Sequence, residues 1–205
     1  MLARVLRIIE GLVPGMTLPV SLDDFRGRCI LHVSDTPSVF YGDLRRLVDH
    51  FCPVFLVHTG DLADDVKVGL HPGEMGLYRK RLKALFHAIG GVPAGHIAIA
   101  CGNHDIAEDI RKVCKGCLLF EGGGRATICG LDIALGHYIR EIPSPPSRFN
   151  LYGHDLSSPP PGIREIFLNG VTAVNLIDTE TGEIAAIPYP RYVDESRLCR
   201  RKRGL

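Results

Sequence analysis

The chain has 205 residues, 45% of them hydrophobic and 23% charged, which argues for one domain with a sizeable core and against intrinsic disorder. Twenty-four Lys and Arg against 23 Asp and Glu leave a formal net charge of +1, so a globally basic nucleic-acid binder is not expected and only local basic patches remain for polyanions. No apolar run approaches the roughly 18 residues of a membrane-spanning helix, and seven cysteines without a regular framework read as reduced thiols of a cytoplasmic protein.

In chain order, residues 1–16 (MLARVLRIIEGLVPGM) carry Arg4 and Arg7 inside an apolar stretch and predict a short amphipathic helix. Residues 1–27 are thus expected as an extension of a single domain spanning 1–205. Arg28–Ser34, Val54–His58 and His96–Ala100 are apolar runs of strand length rich in β-branched residues. Leu44, Leu47, Val48 and Phe51 form a helical stripe, as do Met75, Tyr78, Leu82, Leu85, Phe86 and Ile89 with Arg79–Arg81 and Lys83 on the wet side. A shorter helix is expected around Ile106–Val113.

Beyond it the chain becomes strand-rich: Leu118–Phe120, Arg125–Cys129, Leu131–Gly136, Phe149–Tyr152, Glu165–Leu168, Val171–Ile177 and Glu183–Ile187. Turns fall at Cys129-Gly130 and Thr179–Gly182, and Pro143–Ser147 and Pro159–Gly162 read as surface loops. This order predicts an α/β (α+β) chain of two stacked mixed sheets flanked by helices.

Cys29, Cys52, Cys101 and Cys129 lie in or beside apolar segments and read as small hydrophobes. Cys114 and Cys117 form a CxxC, a pattern of half a zinc site or of a redox pair, but the other half of a zinc knuckle is absent and the pair is expected to carry no such function. Residues 191–205 are expected as a tail whose Arg197–Arg203 run is either a frayed, solvated end or a docking site for RNA or another anionic surface.

Polar residues of metal-ligand type fall at the ends of these strands. Asp35 follows the first (HVSD), Asp61 the second (HTGD) and Asn103-His104-Asp105 the third (CGNHD), while His137 and His154 end two later ones. Carboxyl ends of parallel strands line one crevice, so these groups converge. Singly, each has a bland role: an Asp after a strand is often a helix cap. Together, carboxylate, amide oxygen and imidazole suit Mn²⁺, Fe, Zn²⁺ or Ni²⁺. His32 and His58, inside strands, are expected to be packed or hydrogen-bonded.

The ordered set Ser34-Asp35-Thr36-Pro37, Gly60-Asp61, Gly102-Asn103-His104-Asp105, Gly136-His137 and Gly153-His154-Asp155-Leu156 resembles the D-x-H, G-D, G-N-H-D/E, His and G-H-x-H motifs of the calcineurin-like metallophosphoesterases. The resemblance covers residues 28–188 and implies a four-layer sandwich of two mixed sheets between helices. It also implies two metals, but Pro37 and Leu156 stand where the family has histidines that bind the same metal. One site keeps its implied set of Asp61, Asn103, His137 and His154; the other is reduced to Asp35 and Asp61, with Asp64 or Asp65 as weak substitutes.

The expectation is therefore one divalent transition metal per chain, Mn²⁺ first, and slow or narrow hydrolysis of a phosphomonoester or phosphodiester, a phosphorylated small molecule or nucleotide. His104 is implied as the general acid, with Asp105 orienting its imidazole. Arg140 and Arg148 are either phosphate contacts or loop residues. The rival expectation is a degenerate family member that binds a partner without catalysis.

Overall fold

The protein is described from a computed structural model covering residues 5–7, 20–157, 159 and 164–198. Its strands are β1 (Val5–Arg7), β2 (Cys29–Val33), β3 (Phe55–His58), β4 (Ile97–Ala100), β5 (Leu118–Phe120), β6 (Gly124–Ile128), β7 (Leu131–Leu135), β8 (Phe149–Tyr152), β9 (Ile166–Asn169), β10 (Ala173–Asp178) and β11 (Ile184–Pro188). The helices are α1 (Tyr41–Phe51), α2 (Met75–Ala88), α3 (Ala107–Val113) and α4 (Arg191–Arg197).

A seven-stranded sheet runs β1-β11-β10-β2-β3-β4-β5 and a four-stranded sheet β6-β7-β8-β9. β2, β3, β4 and β5 pair in parallel. Burial of every residue of β2, β3 and β4 follows from their continuous apolar runs, the mark of strands covered on both faces. The β6–β7 hairpin turns on Cys129 and Gly130, both at positive φ (49° and 78°), the primed geometry that suits strand twist; β7, β8 and β9 then continue in parallel.

Two cores follow from strand alternation. Leu31, Val33, Leu56 and Ile99 face the helices, packing with Leu44, Leu47, Phe51, Tyr78, Leu82, Leu85 and Ile110. Ile30, Phe55, Val57, Ala98 and Ala100 face the second sheet, against Ile133, Leu135, Phe149 and Leu151. Two mixed sheets flanked by helices are thus the architecture. The Ile139–Glu141 3-10 turn follows β7, and the loop leading to β8 is pinned where Ser147 N donates to Asn150 Oδ1 (2.9 Å) and Asn150 Nδ2 to Ser147 O (2.7 Å).

Several expectations are corrected. Where a helix was expected near the start, Val5–Arg7 is a strand paired in parallel with Ile184–Ala186; the rest of residues 1–19 lies outside the described residues. Leu22 and Phe25, assigned to an extension, are core side chains. Cys52 and Cys129 are exposed, because both occupy left-handed turn positions (φ 45° and 49°) rather than strand interiors. Residues 191–197 are α4, whose Val193 is buried. Residues 199–205, with Cys199 and the rest of the basic run, and most of the Pro159–Gly162 loop lie outside the described residues.

Candidate metal centre

Five strand ends bring the predicted residues together. Asp35 follows β2, Asp61 follows β3, Asn103 follows β4, His137 follows β7 and His154 follows β8. The corner is cross-tied: Asp35 N donates to Gly60 O (2.9 Å), Thr36 N to Asp61 O (3.0 Å) and Gly153 N to His137 O (3.0 Å). Asp35, Asp61 and His154 have φ of 48°, 52° and 57°, left-handed conformations that side chains adopt at a cost of order 1–3 kcal/mol. Gly60, at φ 98°, has no room for a Cβ, which would overlap His137 Nδ1 and the Gly102 nitrogen.

One ligand atom from each of Asp35, Asp61, His137 and His154 lies within 4.8 Å of all the others. His137 is fully buried, and its Nδ1 lies 2.7 Å from Thr59 O. A carbonyl only accepts, so Nδ1 carries the proton and the Nε2 lone pair faces inward. That lone pair meets Asn103 Oδ1 at 3.1 Å and Asp61 Oδ2 at 3.7 Å; Asn103 Oδ1 also accepts from Tyr138 Oη (2.9 Å). Asp61 Oδ1 accepts from His104 N (2.9 Å), whereas Oδ2 is buried with no hydrogen-bond partner. Burial, with Asp105 and Asp35 nearby, pushes the Asp61 carboxyl upward. His137 Nε2, Asn103 Oδ1 and the orphaned Asp61 Oδ2 are three inward-facing acceptors, a set that fits a divalent cation.

Asp35 Oδ2 accepts from Ser34 Oγ (2.6 Å) and His154 N (3.0 Å), and its Oδ1 lies 3.9 Å from His154 Nδ1. Pro37 is buried beside this corner and Leu156 is 75% exposed; neither offers a ligand atom. Asp65 is turned toward Ser38, its carboxylate accepting from Ser38 N (2.9 Å) and Oγ (2.6 Å).

His104 is buried, with Nδ1 lacking a partner; burial first, then the Lys67 ammonium and His154, hold its imidazole down to about 4. The expected role of Asp105 is corrected. Its Oδ2 accepts from Asp61 N (2.7 Å) and Gly102 N (2.9 Å), and its Oδ1 from Leu62 N (3.0 Å) and Tyr78 Oη (3.3 Å). It staples the turns that carry Asp61 and Asn103 together instead of orienting His104. Arg148 is corrected too: it immediately precedes β8, near Gly182, at the end opposite His154. Arg140, stacked over Tyr138 (3.9 Å), stays at the rim. His32 and His58 are hydrogen-bonded within the sheet, to Thr59 Oγ1 and Thr36 Oγ1 (3.0 Å each).

Sequence reasoning missed three contributors. Tyr78, on the apolar face of α2, donates to Asp105 and accepts from Ile106 N (3.1 Å); a Tyr in an aliphatic stripe is the only signal. Tyr138 caps Asn103. Arg197, assigned to a frayed end, donates to Ser34 O (2.9 Å), Asp35 O (2.7 Å) and Val171 O (2.7 Å), and stacks on Tyr189 (4.1 Å).

A calcineurin-like phosphoesterase family model matches residues 30–193, a span that holds every ligand candidate. The chain belongs to the calcineurin-like phosphoesterase family. A solved structure that is 11% identical, with 80% of this chain and 99% of its own covered, superposes with a TM-score of 0.54 and shares the fold. Two others are similar at lower scores: YfcE, a phosphoesterase from E. coli (16% identity, 78% and 99% covered, TM-score 0.48), and the Aquifex aeolicus protein of unknown function AQ665 (15%, 70% and 90%, 0.39). No curated protein matches the sequence at a significant level. No described helix is long and apolar enough to cross a membrane.

Proposed function

We propose that the protein hydrolyses a phosphomonoester or phosphodiester at a mononuclear metal site, with Asp61, Asn103, His137 and His154 as ligands, Asp35 beside them and Mn²⁺ as the first candidate, ahead of Fe, Zn²⁺ or Ni²⁺. The observation that carries this reading is the buried, partnerless Asp61 Oδ2 facing the His137 Nε2 lone pair and Asn103 Oδ1. A divalent cation held there supplies Lewis acidity, polarising a phosphoryl oxygen and lowering the pKa of water.

The chain's own residues do the rest. Thr59 O fixes the His137 tautomer, Tyr138 Oη fixes the Asn103 amide, and Asp105 with Tyr78 locks the Gly102–Asp105 turn. His104, as the imidazolium, hands a proton to the leaving-group oxygen, general-acid work typically worth about 10²–10⁴-fold. Its depressed basicity is opposed once an anionic phosphoester lies beside it, since a nearby negative charge favours the imidazolium.

A second reading is favoured by Pro37 and by the exposed Leu156: with one ligand set broken, the fold serves as a binding scaffold without turnover. Purified protein assayed with Mn²⁺ on p-nitrophenyl phosphate and bis-p-nitrophenyl phosphate separates the two. Metal-dependent release of p-nitrophenol that His104→Ala abolishes supports the enzyme; metal binding without release supports the scaffold.

A further inference from the structure

The phosphoesterase reading leaves Cys114 and Cys117 unused, and the fold sets them in a turn of their own between α3 and β5. Cys114 N donates to Ile110 O (2.8 Å), closing the helix, and Cys117 N reaches back to Cys114 O (3.4 Å). Gly116 has φ 95°, the left-handed third position of a type II turn. Such a turn holds its first and fourth Cα atoms within about 7 Å, the span that a disulfide can bridge. The thiols already touch: Cys114 Sγ–H donates to the Cys117 sulfur, which pushes the Cys114 thiol up and holds that of Cys117 down. Burial separates their roles. Cys114 is 4% exposed and sits with Ile110 in the helix-facing core. Cys117 is half-buried, and a Cβ on Gly116 would meet nothing within 4 Å, so the turn opens to solvent. Among the described residues no further His, Cys, Asp or Glu completes a metal-ligand group with the pair.

We propose that Cys114 and Cys117 are a redox-active dithiol, which a low-molecular-weight disulfide such as oxidised glutathione converts reversibly to an intramolecular disulfide. The sequence pattern alone points to no function for the pair; the turn and the shared proton do. An attacking thiol has to be accessible and partly ionised, which is the position of Cys117. A resolving thiol needs only to reach its neighbour, which is the position of Cys114. The Cys117 thiolate attacks one sulfur of the small disulfide, forming a mixed disulfide and expelling one small thiolate. Cys114 then gives up its proton and attacks the Cys117 sulfur, and the second small thiolate leaves. Two protein thiols lose two electrons in all, one small disulfide gains them, and both protons end on the two small thiols. None of this depends on the metal centre or on ester hydrolysis.

The test exposes the full chain, freed of reductant, to oxidised glutathione, then alkylates it with N-ethylmaleimide and digests it with trypsin. Cleavage after Lys112, Lys115 and Arg125 puts the two cysteines on separate peptides, Val113–Lys115 and Gly116–Arg125. The expected product is these two peptides joined, two hydrogens lighter than the thiol pair and released by dithiothreitol. Cys101→Ser, which removes a third thiol near the pair, leaves that product unchanged. Cys114→Ser stops at a glutathione adduct on Cys117, whereas Cys117→Ser reacts about tenfold or more slowly, its remaining thiol being buried. If Cys114→Ser fails to fold, Cys114→Ala carries the same comparison. Both cysteines alkylated after oxidation, a link from either to Cys101, or a glutathione adduct that persists in the wild-type chain overturns the dithiol. Cys117→Ser reacting as fast as Cys114→Ser overturns the assigned roles.

Discussion

Arg197→Met tests how the C-terminal helix is tied to the metal corner. The guanidinium is nearly buried (side chain 8% exposed) and donates three bonds of 2.7–2.9 Å to the Ser34, Asp35 and Val171 carbonyls. Hydrogen bonds from a charged donor contribute about 1.5–3 kcal/mol each, and Met keeps most of the stem's packing. Water reaches the freed carbonyls once α4 lifts, which limits the loss. A net destabilisation of about 3–5 kcal/mol follows. Urea denaturation of the metal-free protein measures it. Because the bonds clamp the backbone of Ser34 and Asp35, metal affinity also falls, read by titration of the folded variant. A loss below about 1 kcal/mol with unchanged metal affinity would refute the clamp.

His32 and His58 are buried and neutral, their imidazoles pushed down to about 3 by burial. With an unfolded value near 6.5, their contribution to stability is intact above that pH and is lost as pH falls toward 3, at about 1.4 kcal/mol per pH unit for each. His32→Gln should flatten the fall measured between pH 6.5 and 5; an unchanged slope contradicts the assignment. Gly60→Ala, forced against His137 and Gly102 at φ 98°, should lose about 2 kcal/mol or more and empty the metal site, a result that wild-type denaturation and metal content would disprove. Asn103→Ala and His154→Ala should lose metal, while His104→Ala keeps it and loses turnover; equal metal loss in all three makes His104 a ligand.

The central strands were legible because β2, β3 and β4 are covered on both faces and so had to be written as apolar runs broken only by the buried, hydrogen-bonded His32 and His58. The site was legible for the related reason that parallel strands end at one edge, so Asp35, Asp61 and Asn103 converge although far apart in sequence. What escaped was whatever depends on distant partners. Val5–Arg7 looks helical by local pattern and is a strand only because β11 lies alongside it. Arg197 reads as one more basic residue of a solvated run, and only the fold supplies three carbonyls to receive it. Asp105 sits beside His104 in sequence, but its carboxylate turns toward the backbone of the neighbouring turn.

Native mass spectrometry of the purified chain, reconstituted with Mn²⁺ and exchanged into volatile buffer, tests the mononuclear centre most directly. One tightly held metal per chain, lost in the His137→Ala variant, is the predicted result. Two stoichiometric metals, or one that survives His137→Ala, would contradict it.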